Sequence, residues 1–180
     1  GLSESEPLAD EQTAAGLAAT ELGDAVHVVL EGVDLRDPAA PGDAELAERV
    51  RRLYPAVSDE ELVRIGTLVR AYTGSALARR IAALPARPER PFAFEHDGVL
   101  LRGRLDVLSV DGAHALVLDY KTNALGSTSP AEATEHGYRL QRLVYALACL
   151  RAGAEQVEVV YCFLERPDER PEGRAHLGGV

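Results

Sequence analysis

The sequence predicts an α/β protein: an N-terminal helical lobe, an antiparallel three-strand meander, a helix, and a further strand parallel to the meander. Three observations carry this reading. Apolar residues recur at helical spacing through the first half of the chain. Two Asp-Gly pairs, Asp97–Gly98 and Asp111–Gly112, then separate short β-rich runs, as in tight hairpins. A long amphipathic segment opened by Pro130 leads into the β-branched run VEVVYCFL at 157–164.

Taken in order, residues 1–10 are acidic and aperiodic, which predicts a disordered tail. Leu17, Leu22, Val26, Val29 and Leu30 predict a helix over 12–31, with Thr20 or Gly23 as places where it could break. After a Pro/Gly/Asp loop, Asp43 is positioned to cap a short helix to Leu53. Ser58 followed by Glu61 is a capping box. It opens a helix running to Ala83, with Leu62, Ile65, Leu68, Val69, Tyr72 and Leu77 inward. Pro85–Pro91 reads as a stiff connector. Strands follow at 92–96, 99–109 and 114–121, then a loop over 122–129. Pro130 starts one long helix to Ala152, which Gly153 ends, and the buried strand at 157–164 returns through a right-handed crossover. The expected domains are the 1–10 tail, a helical lobe over 11–91 carrying His27, a core over 92–164, and a C-terminal tail over 165–180.

The composition bounds function. No run of about 18 apolar residues exists, which excludes a helical membrane span, and no charged-then-apolar leader opens the chain. A chain without Met that begins at Gly1 is expected to be a piece of a longer protein. Cys149 and Cys162 are too few for a four-thiolate centre; buried reduced thiols and a cytoplasmic setting are expected. The net charge of −10 is unevenly spread, as −11 over 1–48, +5 over 49–104 and −4 over 105–180. The middle third is a basic island, which from charge alone suits a solvated helix face as well as a nucleic-acid contact. Of nineteen basic residues, Lys121 is the single lysine. It therefore marks a place where a compact ammonium serves and a guanidinium does not.

Asp119 and Lys121 are two apart on the third strand, so they share a face while Tyr120 points to the other. The hairpin register places Asp106 opposite the stretch Val117 to Asp119. Two neighbouring carboxylates repel unless a cation sits between them, and a hard divalent ion such as Mg²⁺ meets that need. Tyr138, Gln141 and Tyr145 recur at helical spacing and form one stripe. Packing on the sheet explains the tyrosines, but a buried Gln141 needs polar partners.

Gly103-Arg104-Leu105-Asp106 and Leu118-Asp119-Tyr120-Lys121-Thr122 resemble the core of the PD-(D/E)XK nucleases, and more narrowly the RecB/AddA-type nuclease domains of bacterial helicase–nucleases. Gly23-x-x-x-His27, Glu89-x-Pro91-Phe92 and Gln141-x-x-x-Tyr145 resemble further motifs of that group, in the same order. The resemblance implies a restriction-endonuclease-like core. It also implies a divalent-metal-dependent nuclease acting on DNA, single-stranded or unwound by an attached helicase, in double-strand break repair and recombination. Asp106 and Asp119 would hold Mg²⁺ or Mn²⁺, helped by the Tyr120 carbonyl and His27. Lys121 would position the attacking water and offset charge on the scissile phosphate. Gln141 would face the metal or the phosphate, with Tyr145 and Tyr138 toward substrate; Glu89 stays undecided between site and surface. Two cysteines point to the branch without an iron–sulfur cluster. No Walker-type phosphate loop is present, so a motor would lie in an N-terminal helicase region beyond Gly1, with a partner subunit. The alternatives are a catalytically silent nuclease-fold module that handles DNA or assembles a complex, and a stand-alone phage- or restriction-type nuclease. The absent start Met argues against the latter.

Overall fold

The structure, a computed structural model, describes residues 16–169. Its element order is four helices, three strands, two helices and a strand. The first helix, α1 (Ala19–Glu31), passes through Thr20 and Gly23 without a break. It starts later than the apolar spacing predicts, because Glu21 turns back to accept the Ala18 N–H at 2.9 Å. The predicted tail over 1–10, and the predicted helix before Gly16, lie outside the described residues.

In α2 (Asp43–Leu53) the capping position belongs to Gly42, not Asp43. The Asp43 carboxylate instead accepts from Arg70 at 2.9 Å. Ser58 and Glu61 do form the capping box of α3 (Asp59–Thr73). The single helix predicted to Ala83 is two, because α3 stops at Gly74 and the chain restarts as α4 (Ala76–Ala82). Gly is a poor helix former, and the Ser75 hydroxyl accepts the Ala78 N–H at 3.0 Å rather than letting the first helix continue.

The sheet has the order β1-β2-β3-β4. β1 (Ala86–His96), β2 (Val99–Asp111) and β3 (His114–Lys121) are antiparallel, and β4 (Gln156–Phe163) is parallel to β3. The expected proline-rich connector is the first half of β1, paired with β2 from Ala86 onward. Pro88 and Pro91 stand in β1, an edge strand, the one position in a sheet where an outward-facing N–H has no ladder partner to lose. Asp97 and Gly98 both take positive φ, as a two-residue hairpin of type I′ requires. The second turn is shifted by one residue: Asp111 pairs with His114, leaving Gly112–Ala113 as the loop, with Gly112 at φ 58°.

The long helix predicted from Pro130 is also two, α5 (Pro130–Gly137) and α6 (Arg139–Arg151). Tyr138 leaves helical geometry at φ −123°, next to Gly137. Its carbonyl accepts the Tyr161 hydroxyl at 3.2 Å, so the break is tied down by the sheet.

Strand alternation divides β3 between two cores. Leu116, Leu118 and Tyr120 join Val26, Val29, Ile65, Val69 and Tyr72 of the helical lobe. Ala115 and Val117 join Tyr145, Ala146 and Cys149 of α6. The sheet is therefore covered on both faces, which is why β3 reads as continuous apolar residues up to Asp119. Cys149 and Cys162 are free, buried and in different cores.

Candidate active site

The site forms where β3 ends. Asp119, on the α6 side of the sheet, is only 4% exposed. Its Oδ1 accepts the Tyr145 hydroxyl at 2.8 Å, and its Oδ2 lies 2.6 Å from Lys121 Nζ. Gln141 closes the ring: its Oε1 accepts from Lys121 Nζ at 3.0 Å and its Nε2 donates to the Tyr145 oxygen at 2.8 Å. The Lys121 ammonium also stands 4.2 Å above the Tyr138 ring centre and 5.2 Å from that of Tyr161. A desolvated ammonium over aromatic faces is held in place electrostatically. Burial pushes the Asp119 carboxyl up, Lys121 pulls it back, and Asp106 adds to the rise. Despite the nearby ammonium, Asp119 Oδ2 is buried without a hydrogen bond of good geometry.

Asp106 reaches the same place by a local irregularity. Backbone pairing of β2 with β3 ends at Val107↔Leu118. One residue further, Asp106 Oδ2 accepts the Tyr120 N–H at 2.7 Å, replacing the ladder bond with a side-chain bond. Its other oxygen lies 3.4 Å from His27 Nδ1. Alternation fails here as well: Val107 lies in the lobe-side core and Leu105 in the α6-side core, although they are two apart. Across β1, Pro88 pairs with Val107 and Arg90 with Leu105, which leaves Glu89 opposite Asp106, outside the ladder and at φ 50°. Irregular strand geometry of this kind re-aims a side chain. Here it turns Asp106 toward the Tyr120 amide and His27.

His27, on α1, completes this half. Burial lowers its basicity, but the Asp106 hydrogen bond and the charges of Asp106, Asp119 and Glu89 more than offset that, so its pKa is raised. The Tyr120 ring, on the lobe side, packs edge-on to His27 and Tyr72 at 6.0 and 4.8 Å between centroids.

All the residues singled out from sequence thus converge, though not always as expected. Gln141, expected to face the metal or the phosphate, finds the polar partners that its burial demands in Lys121 and Tyr145. Tyr138 is not on the helical stripe; it precedes α6, stacks under Lys121 and donates to Asn123 at 3.1 Å. Glu89 is drawn inward by its strained backbone and pairs with Arg104 at 3.0 Å. Sequence reasoning missed Tyr161, which the parallel register places beside Asp119, and named Phe92 only as part of a motif, without its edge-on contact with Tyr145 at 6.0 Å. Both depend on long-range pairing that no local pattern announces. Among the described residues, no group of three or more His, Cys, Asp and Glu side chains is arranged to hold a metal ion. The donors that fit one best are carboxylate oxygens, including Asp119 Oδ2, which is buried against the Lys121 ammonium without a hydrogen bond of good geometry, and oxygen donors suit a hard divalent cation.

The family model of the PD-(D/E)XK nuclease superfamily matches residues 2–177. The chain belongs to that superfamily. It is also 29% identical, over 170 residues, to an ATP-dependent helicase/nuclease subunit of Desulforudis audaxviator (strain MP104C). The match covers 85% of this chain but 14% of that relative. The four-strand sheet with helices on both faces accords with a restriction-endonuclease-like fold. Among the described residues, no helix of this nuclease-superfamily chain is long and apolar enough to cross a membrane.

Proposed function

We propose that the chain is a divalent-metal-dependent deoxyribonuclease of the exonuclease V type, acting on DNA unwound by a helicase, in break repair and recombination in the cytoplasm. The observation that carries this reading is the closed ring of Asp119, Lys121, Gln141 and Tyr145, set beside the re-aimed Asp106 and His27. Asp106, Asp119, His27 and the Tyr120 carbonyl would hold Mg²⁺ or Mn²⁺. A divalent cation, when bound, supplies positive charge and Lewis acidity at the scissile phosphate. Lys121, released from Asp119, positions the attacking water and offsets charge on the phosphate. Gln141 then keeps the ammonium aimed and Tyr145 keeps Asp119 ionised and oriented. The likeness to a helicase/nuclease protein, of which this chain matches 14%, is the ground for proposing a helicase region and a partner subunit.

The test is Lys121→Ala. Mg²⁺-dependent cleavage of a single-stranded oligonucleotide should fall by about 100-fold or more, the scale of losing one stabilising donor. The circular dichroism spectrum should stay that of the parent. Retained cleavage would overturn the role given to Lys121, and absence of cleavage by the parent would overturn the nuclease reading.

A catalytically silent DNA-handling module is the second reading. Lys121 Nζ at 2.6 Å from Asp119 Oδ2 favours it, because the ammonium holds the oxygen a cation would take. Mn²⁺ titration followed by electron paramagnetic resonance decides: binding lost in Asp106→Asn and Asp119→Asn supports the nuclease.

A further inference from the structure

Beside the catalytic ring a depression of about 770 Å³ opens between the helical lobe and the loop after β3. His27, Lys121, Thr122 and Asn123 line it together with Arg64 of α3. Arg64 also lines a second cavity of about 330 Å³, which runs along α3 to Leu164 and Glu165. Arg64 therefore lines both cavities.

Arg64 differs from most of the arginines around it. In the basic island, Arg49, Arg51, Arg52, Arg70, Arg80 and Arg104 are each spent on an acid. Among the described residues Arg64 is exposed and makes no hydrogen bond or ion pair. The acids near it are not equivalent. Glu61 spends its carboxylate on the Leu17 and Ser58 N–H groups and the Ser58 hydroxyl. Asp24 lines the same depression with its charge unspent among the described residues.

We infer that Arg64 binds a backbone phosphate of the DNA strand, away from the scissile one, and so sets where the strand leaves the catalytic ring along α3. A guanidinium suits this because its planar fork engages two phosphate oxygens at once. Among the described residues, engaging a phosphate would break no hydrogen bond or ion pair of this exposed side chain. Asp24 opposes the strand and keeps the contact weak. The inference rests on the nuclease reading of the site, yet it is tested separately from it.

The test is equilibrium binding of a short fluorescent single-stranded oligonucleotide to the 180-residue chain in EDTA, where no cleavage occurs. Arg64→Ala should weaken binding by about tenfold, and the slope of log affinity against log salt should fall by about one. Arg64→Lys should recover part of the loss, and Asp24→Asn should tighten binding. Replacing phosphates one at a time by neutral methylphosphonate should reveal one position that matters to the parent and is silent in Arg64→Ala. Parent-like binding by Arg64→Ala, or the absence of any such position, would overturn the inference. If Lys121→Ala abolishes cleavage while Arg64→Ala binds normally, the strand path fails and the nuclease stands. If Lys121→Ala still cuts while Arg64→Ala loses affinity, the strand path stands and the role given to Lys121 fails.

Discussion

Gly103 carries no functional group, yet the site depends on its having no side chain. It pairs with Phe92 across β1 and β2, and a Cβ there would stand 2.7 Å from the Phe92 ring. The ring thereby lies over the strand and meets Tyr145, which holds Asp119. Gly103→Val should cost about 1–3 kcal/mol by overpacking, read by thermal unfolding. Cleavage should fall by up to about 100-fold, because displacing Phe92 lets Tyr145 move. Tyr145→Phe isolates the last link: the buried Asp119 carboxylate loses a hydrogen bond of the kind worth about 1.5–3 kcal/mol. Its stability loss should shrink when Asp119 is Asn, a double-mutant cycle that checks the pairing. At this scale the sequence was informative about Asp106, Asp119, Lys121, Gln141 and Tyr145, whose types and spacings are chemical. It was silent about Tyr161 and about what Phe92 touches, because ordinary aromatic residues acquire a role only from what lies across the sheet.

Helix ends decide how α1 and α4 are placed. Glu61, within the capping box of α3, also accepts the Leu17 N–H at 2.7 Å just before α1, the helix that carries His27. The Ser58 and Leu17 backbone bonds hold the Glu61 carboxyl below its ordinary range, against the opposing effect of burial. Folding therefore favours the ionised form. The contribution is full above the ordinary carboxylate range and is lost as pH falls through the lowered folded value. The stability gap between the parent and Glu61→Gln, from denaturant titrations at several pH values, should be constant near neutrality and close in acid. At the other end, Asp168 accepts the N–H groups of Ala76 and Leu77 at 3.2 and 3.1 Å, fastening the segment after β4 to α4. Asp168→Ala should cost about 1 kcal/mol, the usual scale of a lost helix cap, measured by urea unfolding. The capping box was legible in four residues. The Asp168 contact was not, since its partners lie more than ninety residues apart. Nor were the breaks at Gly74 and Tyr138, where local periodicity continues but Ser75 and the sheet supply better partners.

On the scale of the whole molecule, one sheet serves two cores, so the lobe and α6 share their support. Leu118 is fully buried on the lobe side, beside the residue that carries the Asp119 carboxylate. Leu118→Ala should cost about 2–5 kcal/mol. Far- and near-ultraviolet circular dichroism should still lose signal in one transition, because the damaged strand belongs to both faces. The sequence alone determined the order of helical lobe, three-strand meander, helical segment and strand, the first hairpin turn, the parallel return of β4 and the chemical types gathered at the end of β3. These follow from short-range rules: backbone preferences, side-chain periodicity and turn geometry. Only the tertiary structure decided that β2 leaves its ladder at Asp106, that Glu89 is strained opposite it, and that Lys121 is caged by Tyr138 and Tyr161. The physical reason is that strand register and helix docking bring distant residues within a few ångströms. The aim of a buried carboxylate is then settled by those neighbours, not by the residues beside it in the chain.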